Sequence, residues 1–291
     1  MKNVGFIGLG NMGSRMSHNL VKNGFNVTGF DINVTKELEI KLNEDKIFLV
    51  SNLEEAINDK NFVITMLPDG HALKQVILSN YKYANKKTIF IDSSTIDVKT
   101  TKQIYDVLEN NDLDFLDAPV SGGVIGAKNA TLTFMVGGKK KIYEACKPLF
   151  ESMGNKSVLC GENGSGQSIK LCNNMILAIT MIGVGEALNI AQELNLDLQK
   201  FFDVVSTSSG SCWAVNNYFP IKNIGPNSPA DSNFEGGFST NLMVKDLSLA
   251  IQTAKDLNTE PFIGLNTLNI YKKMVEEGNG KLDFSSIVKN L

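Results

Sequence analysis

The chain has 291 residues, of which 43% are hydrophobic and 20% are charged, and its 28 basic and 31 acidic residues leave a net charge of −3. This composition excludes a disordered or collagen-like chain and indicates a globular protein of about two domains, at roughly 150 residues each. Residues 139–141 form the longest block of like charge, which is too short for a nucleic-acid-binding surface. The longest apolar stretch, residues 175–188, is shorter than the roughly 20 residues that cross a bilayer. We therefore expect neither nucleic acid nor a membrane as a partner.

The cysteines and the N-terminus indicate the compartment. Cys146, Cys160, Cys172 and Cys212 are widely spaced and form no C-x-x-C pair, a pattern typical of reduced thiols. The N-terminus leads directly into the strand-like residues 4–7, without the features of a signal peptide. These features predict a cytoplasmic protein, or equally a mature organellar form from which a presequence has been removed.

From residue 2 to about residue 160, short β-branched or aromatic runs alternate with helix-like segments. The predicted strands span residues 4–7, 26–30, 47–50, 62–66, 88–91, 113–116, 131–136 and 156–159. The predicted helices include residues 14–23, 53–59, 98–110 and 140–151. Such alternation is typical of βαβ units. It predicts an α/β fold, a doubly wound and mostly parallel sheet with helices on both faces.

The pattern changes after the glycine-rich residues 161–166, because no further strand-like run occurs. Helices are predicted at residues 167–194, 198–206, 241–257 and 262–277. Residues 216–233 contain three prolines and several Asn and Ser residues, which predicts a loop. We therefore predict two domains: an α/β domain of residues 1–162, and an all-helical domain of residues 163–291 that begins with a long interdomain helix and serves substrate binding and oligomerisation.

A glycine-rich motif follows the first predicted strand and opens the first predicted helix. Its residues are Gly8, Leu9, Gly10, Asn11, Met12 and Gly13, a G-x-G-x-x-G pattern. In this context the first glycine permits a tight turn, the second lets the main chain approach a pyrophosphate, and the third lets helix and strand pack closely. Free N–H groups at the helix N-terminus favour the anion. The motif predicts a Rossmann-type dinucleotide-binding domain, as opposed to a turn that is merely shaped by glycine.

The second predicted strand ends at Asp31, 23 residues after Gly8. A carboxylate at this position accepts hydrogen bonds from the ribose hydroxyls of NAD and repels the 2′-phosphate of NADP. The sequence therefore predicts NAD as the cofactor, with Lys36 as a residue that would permit some use of NADP. Later strands end at Met66-Leu67-Pro68 and at Asp92-Ser93-Ser94-Thr95, where ligands bind in open α/β sheets. Each of these is also compatible with an ordinary strand end or helix cap.

Two further groups of residues suggest a substrate site. Ser121, Gly122 and Gly123 follow a strand and offer a hydroxyl and backbone N–H groups to a small carboxylate, although a simple glycine-rich turn explains them equally well. Lys170 and Asn174 are four residues apart on one face of an apolar helix at the domain boundary. In a water-poor cleft the lysine would act as a general acid or base, whereas the alternative is a lysine that extends to solvent.

The two histidines, His18 and His71, have no evident partner in the sequence. We therefore predict that they are surface or packing residues.

Taken in order, the motifs resemble the β-hydroxyacid dehydrogenases over nearly the whole chain, and within that family most closely the enzymes that act on 3-hydroxyisobutyrate. The resemblance includes residues 5–13, Met66-Leu67-Pro68, Asp92-Ser93-Ser94-Thr95, the run from Asp117 to Gly126, Lys170 with Asn174, residues 209–213, Gly236-Gly237-Phe238, Lys245-Asp246-Leu247 and Asp283-Phe284-Ser285-Ser286. It implies a dehydrogenase of branched-chain amino acid catabolism that forms homodimers or homotetramers.

The resemblance also implies roles for single residues. Lys170 is the implied catalytic residue, and the implied substrate-binding residues are Ser121, Gly122, Gly123 and Asn174. Implied cofactor contacts come from Met66, Leu67, Pro68, Thr95, Phe238 and Lys245, besides the glycine motif and Asp31. NADP-dependent relatives commonly carry Asn-Arg-Thr where this chain has Asp31-Ile32-Asn33, which agrees with NAD.

The expected reaction is the reversible, NAD-dependent oxidation of a small 3-hydroxy carboxylate, foremost 3-hydroxyisobutyrate to methylmalonate semialdehyde. One alternative keeps the chemistry and changes the substrate, as in a reductase of tartronate, succinic or glyoxylate-type semialdehydes. These substrates differ by one or two methylene groups, worth only about 1–3 kcal/mol. The other alternative is a non-catalytic dinucleotide-binding module on the same fold.

Overall fold

The computed structural model describes residues 2–291. Met1, where the predicted first domain begins, lies outside them. The chain divides into two compact units, one that extends to Lys170 and one that extends from Leu171 to Leu291. A single continuous helix, Ser165–Glu193, starts in the first unit and continues into the second.

The first unit contains one nine-stranded sheet. Its strands are β1 (Asn3–Ile7), β2 (Asn26–Phe30), β3 (Phe48–Leu49), β4 (Phe62–Thr65), β5 (Ile89–Asp92), β6 (Asp114–Asp117), β7 (Val120–Ser121), β8 (Leu132–Gly137) and β9 (Gly154–Gly161). The strand order is β3-β2-β1-β4-β5-β6-β8-β7, with β9 paired to β8. The pairs among β1 to β6 and the β8–β9 pair are parallel, and β8 runs antiparallel to β6 and β7.

Seven helices connect these strands. They are α1 (Gly13–Lys22), α2 (Lys36–Glu44), α3 (Leu53–Ile57), α4 (Gly70–Asn80), α5 (Val98–Glu109), α6 (Gly123–Asn129) and α7 (Lys140–Met153). Side chains of Asn52, Asp69 and Asp97 accept first-turn N–H groups and begin α3, α4 and α5. Successive residues of β5 pack into two different cores, because side chains alternate between the faces of a strand: Phe90 joins one core and Ile91 the other. The mostly parallel α/β fold is thus confirmed.

The second unit is helical. Its helices are the continuation of α8 (Ser165–Glu193), α9 (Leu198–Val205), α10 (Trp213–Tyr218), α11 (Thr240–Asp256) and α12 (Phe262–Met274). Their core includes Met181, Leu188, Phe219, Tyr271 and Phe284. Strand pairing in this unit, as far as it is described, consists of one isolated antiparallel bridge between Ser239 and Asp283. The predicted helical character of this half is therefore confirmed.

Two predictions for the helical half were wrong in detail. Residues 216–233 are not one loop, because α10 extends to Tyr218 and Pro229–Ser232 form a 3₁₀ turn that is capped by Ser228. The predicted helix 262–277 ends as an α-helix at Met274 and passes into a π-helical turn, Val275–Asn279. Gly278 has a φ of +90°, a conformation that ends helical hydrogen bonding.

One helix, α8, is long and apolar enough to cross a membrane by length and composition. The core helix of a globular protein meets the same criterion, and 44% of its most apolar window is buried inside the protein. The helix carries Lys170 and Asn174, both of them buried.

Candidate active site

The glycine motif joins β1 to α1 and is packed tightly at two of its three glycines. Gly8 has a φ of +94°, and a Cβ at Gly8 or Gly13 would overlap the carbonyl oxygen of Met66 or of Gly8, respectively. In contrast, a Cβ at Gly10 would meet nothing within 4 Å. The loop is therefore closed against the protein at Gly8 and Gly13 and open at Gly10, where a ligand approaches the main chain in dinucleotide-binding folds.

Asp31 lies directly beside this loop. Its Oδ2 accepts the backbone N–H of Leu9 at 2.6 Å, and its Oδ1 accepts the backbone N–H of Asn33 at 2.8 Å. Helix α1 begins with no side-chain cap and with no acidic residue in its first turn. An uncapped helix N-terminus, open space at Gly10 and a carboxylate at the end of β2 fit a dinucleotide, with its phosphates at α1 and its ribose at Asp31.

The loops after β4 and β5 are joined by a polar network. Ser94 Oγ accepts the backbone N–H of Leu67 at 2.8 Å. Asp92 Oδ1 accepts the Thr65 hydroxyl at 2.8 Å and the backbone N–H of Ser94 at 3.1 Å. Burial raises the pKa of Asp92 to about 7, despite these hydrogen bonds. The network holds together the two segments that contain the predicted cofactor residues Met66, Leu67, Pro68 and Thr95.

The predicted carboxylate-binding turn follows β7. Ser121 is partly buried, whereas Gly122 and Gly123 are exposed. The two glycines have φ values of +130° and +61°, which a residue with a side chain rarely adopts. Helix α6, which the sequence analysis missed, starts at Gly123. These three residues lie together in one turn, on a different element from Lys170.

Lys170 lies in the second turn of α8 and is only 7% exposed, so it is not a lysine that extends to solvent. Asn174 follows it by one helical turn and is 2% exposed. Charged lysines are almost never fully buried without a specific reason. A buried lysine is a group that can act as a general acid or base, and a buried amide on the same helix face can donate or accept a hydrogen bond.

Within the second unit, Asn174 belongs to a cluster with two residues of α11. Its Nδ2 donates to Oδ2 of Asp246 at 2.5 Å, and Lys245 Nζ lies 3.4 Å from Oδ1 of the same carboxylate. Asp246 is 2% exposed. The structure thus brings together the predicted residues Asn174 and Lys245 through Asp246, whose role the sequence analysis missed. Its position in the Lys-Asp-Leu motif was the available signal.

Phe238, the remaining predicted cofactor residue, is positioned by Asp283. Oδ2 of this carboxylate accepts the backbone N–H of Phe238 at 2.7 Å and the Tyr218 hydroxyl at 2.8 Å. Its Oδ1 accepts both the backbone N–H and the hydroxyl of Ser285. Burial raises the pKa of Asp283, and these four donors oppose that shift. The backbone at Phe238 is therefore anchored, a second role that sequence analysis did not identify.

Both histidines are exposed, so the prediction that they are surface or packing residues is confirmed. His18 does have a partner, because its Nδ1 lies 2.8 Å from Oδ1 of Asp45. Asp45 follows α2, 27 residues away in sequence, so their proximity depends on how α1 and α2 pack in the fold. His71 is exposed in the first turn of α4.

Comparisons with known proteins cover the whole chain. A family model described as the NAD binding domain of 6-phosphogluconate dehydrogenase matches residues 3–161. A second, described as NAD-binding of NADP-dependent 3-hydroxyisobutyrate dehydrogenase, matches residues 164–291. Both descriptions name a nicotinamide dinucleotide, in agreement with the open glycine loop and Asp31.

Individual relatives agree with these models. A mitochondrial 3-hydroxyisobutyrate dehydrogenase of Drosophila melanogaster is 42% identical, over 98% of this chain and 88% of the relative. The mitochondrial enzyme of Mus musculus is 40% identical, over 99% and 86%. Among solved structures, a Mycobacterium tuberculosis 3-hydroxyisobutyrate dehydrogenase with L-serine superposes with a TM-score of 0.94 at 39% identity, covering 100% of this chain and 99% of that chain.

Proposed function

Since the chain belongs to the 3-hydroxyisobutyrate dehydrogenase family, we propose that it oxidises 3-hydroxyisobutyrate to methylmalonate semialdehyde and catalyses the reverse reduction. At the level of reaction class, the chain is a nicotinamide-dependent oxidoreductase that acts on CH–OH groups. The observation that carries the proposal is the burial of Lys170, in α8 of a chain with a complete dinucleotide loop. The relatives are dehydrogenases, so the alternative of a non-catalytic dinucleotide-binding module has no support.

The proposed mechanism assigns the proton to Lys170. During oxidation Nζ of the neutral amine takes the hydroxyl proton of the substrate as the C=O bond forms, and during reduction it returns that proton. The nicotinamide, when bound, accepts the hydride that leaves the carbinol carbon. Because Lys170 is 7% exposed, little bulk water reaches the side chain.

The substrate is proposed to be held by residues of two elements. Ser121 and the backbone N–H groups of Gly122 and Gly123 bind its carboxylate, since the two exposed glycines lie in a turn that leaves the main chain accessible to an anion. Asn174 orients the reacting oxygen, and Asp246 fixes the amide of Asn174 through the 2.5 Å hydrogen bond. Holding both ends of the substrate supplies much of the rate enhancement, because it converts a bimolecular reaction into an effectively unimolecular one.

The proposed cofactor is NAD instead of NADP. Support comes from Asp31, whose carboxylate is fixed by the backbone of Leu9 and Asn33 and would repel a 2′-phosphate. The family model for the second half of the chain names an NADP-dependent enzyme, so the proposal of NAD depends on Asp31. The other proposed cofactor contacts are Gly8, Leu9, Gly10, Asn11, Met12, Gly13, Met66, Leu67, Pro68, Thr95, Phe238 and Lys245.

Steady-state kinetics over a panel of hydroxyacids tests the substrate proposal. The panel contains 3-hydroxyisobutyrate, 3-hydroxypropionate, glycerate, serine and 4-hydroxybutyrate, each with NAD and with NADP. We expect the highest kcat/KM for 3-hydroxyisobutyrate with NAD. Serine is itself a 3-hydroxy carboxylate, and the M. tuberculosis relative was solved with it, which supports the substrate class. A higher kcat/KM for glycerate or 4-hydroxybutyrate would replace the proposal with the semialdehyde reductase alternative.

A homodimer or homotetramer is also proposed, from the surface of α8. Ile176 and Ile190 are 63% and 62% exposed, and Gly183 lies midway between them at a seven-residue spacing. Such a spacing places the three on one stripe of the helix, and exposed apolar stripes mark protein interfaces. Sedimentation equilibrium tests this: the wild type is expected to be oligomeric, and Ile176→Glu is expected to shift it towards monomer.

The cellular location stays a prediction. The relatives include mitochondrial enzymes of fly and mouse and a bacterial enzyme whose description names no organelle. We propose the cytoplasm, and cell fractionation in the source organism tests this proposal.

A further inference from the structure

We propose that Asp117 is a positioning residue for Lys170: its carboxylate fixes the first turn of α8 and thereby the place of the lysine amine. The inference rests on the proposed role of Lys170 in proton transfer. It concerns only residues of the first unit, which extends to Lys170.

Both oxygens of Asp117 are engaged by the start of α8. Oδ1 accepts the backbone N–H of Gly164 at 2.7 Å, and Oδ2 accepts the backbone N–H of Gln167 at 2.9 Å. Asp117 itself is 0% exposed at the end of β6. A cap normally comes from the residue just before its helix. Here the capping carboxylate comes from a strand 47 residues earlier, so it ties the helix to the sheet.

Two glycines leave room for this carboxylate. A Cβ at Gly166 would lie 2.8 Å from Oδ2 of Asp117, and a Cβ at Gly137 would overlap Oδ1. Main chain therefore approaches the carboxylate from β8 on one side and from α8 on the other. Because each oxygen is confined in this way, Asp117 determines both the rotation and the axial position of the first helical turn.

Gln167 ties the same turn to the loop after β5. Its Nε2 donates to the carbonyl of Ser94 at 2.7 Å, and its Oε1 accepts the backbone N–H of Ile96 at 3.2 Å. The intervening residue is Thr95, a proposed cofactor contact. Gln167 is 0% exposed. Asp117 thus holds the first turn of α8 to the sheet. Gln167 holds the same turn to the loop after β5, which contains the proposed cofactor contact Thr95.

Lys170 is three residues beyond Gln167, so it is its neighbour along the helix surface. A change in the rotation of the first turn moves the lysine side chain with it. Since a misplacement of about 1 Å in a catalytic group reduces rates by about 10²-fold, a loosened helix start should reduce turnover. A purely structural role for Asp117 would lower stability and leave the turnover of the folded enzyme unchanged.

The test is Asp117→Asn in the full-length protein. The amide keeps the shape but places an NH₂ group against one of the two backbone donors, so one hydrogen bond is lost. We expect amide hydrogen exchange at Gly164 and Gln167 to accelerate at least tenfold. We expect kcat to fall about 10- to 100-fold with little change in KM. In the pH profile of kcat/KM, the limb that reflects titration of the acid–base group should shift. The affinity for NADH should remain within about threefold.

The matched control is Asp197→Asn. Asp197 also accepts two first-turn N–H groups, those of Gln199 and Lys200, but its helix, α9, carries no proposed catalytic residue. We expect kcat and the pH profile of this variant to equal those of the wild type. An Asp117→Asn variant with faster exchange but with unchanged kcat and pH profile overturns the proposal.

A second variant covers the case in which Asp117→Asn does not fold. Gln167→Glu replaces the donor to Ser94 by a carboxylate oxygen and adds a buried negative charge, which loosens the contact between the same turn and the loop after β5. It should therefore show the same fall in kcat and the same shift of the pH limb. Unchanged values overturn the proposal.

Lys170→Met separates the two claims. If it retains turnover, the proposed function and the role of Asp117 fail together. If it loses turnover while Asp117→Asn keeps kcat and pH profile, only the role of Asp117 fails.

Discussion

The backbone N–H of Leu9 donates a hydrogen bond to Oδ2 of Asp31 at 2.6 Å, so the loop proposed to bind phosphate holds the residue proposed to recognise ribose. The other oxygen of Asp31 accepts the N–H of Asn33. The carboxylate is therefore preorganised before a cofactor binds. Preorganisation lowers the entropic cost of binding. In the proposed complex the fixed carboxylate would repel the 2′-phosphate of NADP.

This relationship predicts how cofactor preference changes. Asp31→Asn with Ile32→Arg removes the negative charge and adds a cation, and Ile32 is 84% exposed, so the arginine does not disturb the core. We expect the ratio of kcat/KM for NAD to that for NADP to fall by about tenfold or more, equivalent to about 1.4 kcal/mol. Ile32→Arg alone is the control and should shift the ratio less. Equal ratios in the double variant and the wild type would show that Asp31 does not select the cofactor.

A matched pair of glycine substitutions distinguishes binding from folding in the loop. Gly10→Ala meets nothing within 4 Å and should leave thermal stability unchanged, but the added methyl group occupies the space open to a ligand. We expect the Kd for NADH to rise about tenfold or more, a loss of about 1.4 kcal/mol.

Gly13→Ala in contrast pushes a Cβ against the carbonyl of Gly8 and should destabilise the fold by about 1–3 kcal/mol. Urea unfolding and NADH fluorescence titration measure the two effects. A strongly destabilised Gly10→Ala with normal NADH affinity would contradict the assignment of the loop.

Asp246 is expected to act through Asn174. In Asp246→Ala the amide of Asn174 and the ammonium of Lys245 lose their shared acceptor. Asn174 is 2% exposed, and the loss of the carboxylate that fixes its amide costs about 1–3 kcal/mol, so we expect kcat/KM for the hydroxyacid to fall about 10- to 100-fold. Asp256→Ala, an exposed site on the same helix, should match the wild type. Wild-type kinetics in Asp246→Ala would contradict the proposal that Asn174, fixed by Asp246, orients the substrate.

Asp92 gives the protein a specific pH dependence of stability. Burial raises its pKa to about 7, whereas in the unfolded chain it is about 3.9. Below about pH 4 the carboxyl is protonated in both states, and its contribution to stability is fully present; that contribution is lost as the pH rises to about 7, because the unfolded state releases the proton first. The neighbouring carboxylate of Asp117, its partner in the β5–β6 register, adds to this effect.

Asp92→Asn removes the titration and keeps the shape of the side chain. The free energy of unfolding of this variant relative to the wild type should therefore increase from pH 4 to pH 7.5, by up to about 4 kcal/mol at about 1.4 kcal/mol per pKa unit. Urea unfolding of both proteins across this range measures the difference. Parallel curves would indicate that the pKa of Asp92 is the same in the folded and the unfolded protein.

The sequence allowed the fold to be predicted because its signals are local. The alternation of strands and helices up to β9, and the helical periodicity after it, depend on neighbouring residues. The helical turn at Pro229–Ser232 was missed because proline and serine are typical both of loops and of helix starts. Helix α6 was missed because glycine has a low helix propensity, and tertiary packing compensates for this.

The site was predictable only in part. The glycine motif, Asp31 and Lys170 follow from spacing or from family resemblance. The carboxylates that hold the site, in contrast, are paired over long distances: Asp117 with Gln167 across 50 residues, and Asn174 with Asp246 across 72. Such pairs depend on the packing of separate elements, which no local pattern encodes. The same reason explains why the partner of His18 was missed.

The central claim is that the amine of Lys170 transfers the proton of the substrate hydroxyl. The most direct measurement is kcat of Lys170→Ala with 3-hydroxyisobutyrate and NAD, together with the Kd for NADH. We predict that kcat falls about 10²- to 10⁴-fold, the range for loss of a positioned acid–base group, while NADH binds as in the wild type. A folded Lys170→Ala variant with near-normal kcat would contradict the claim.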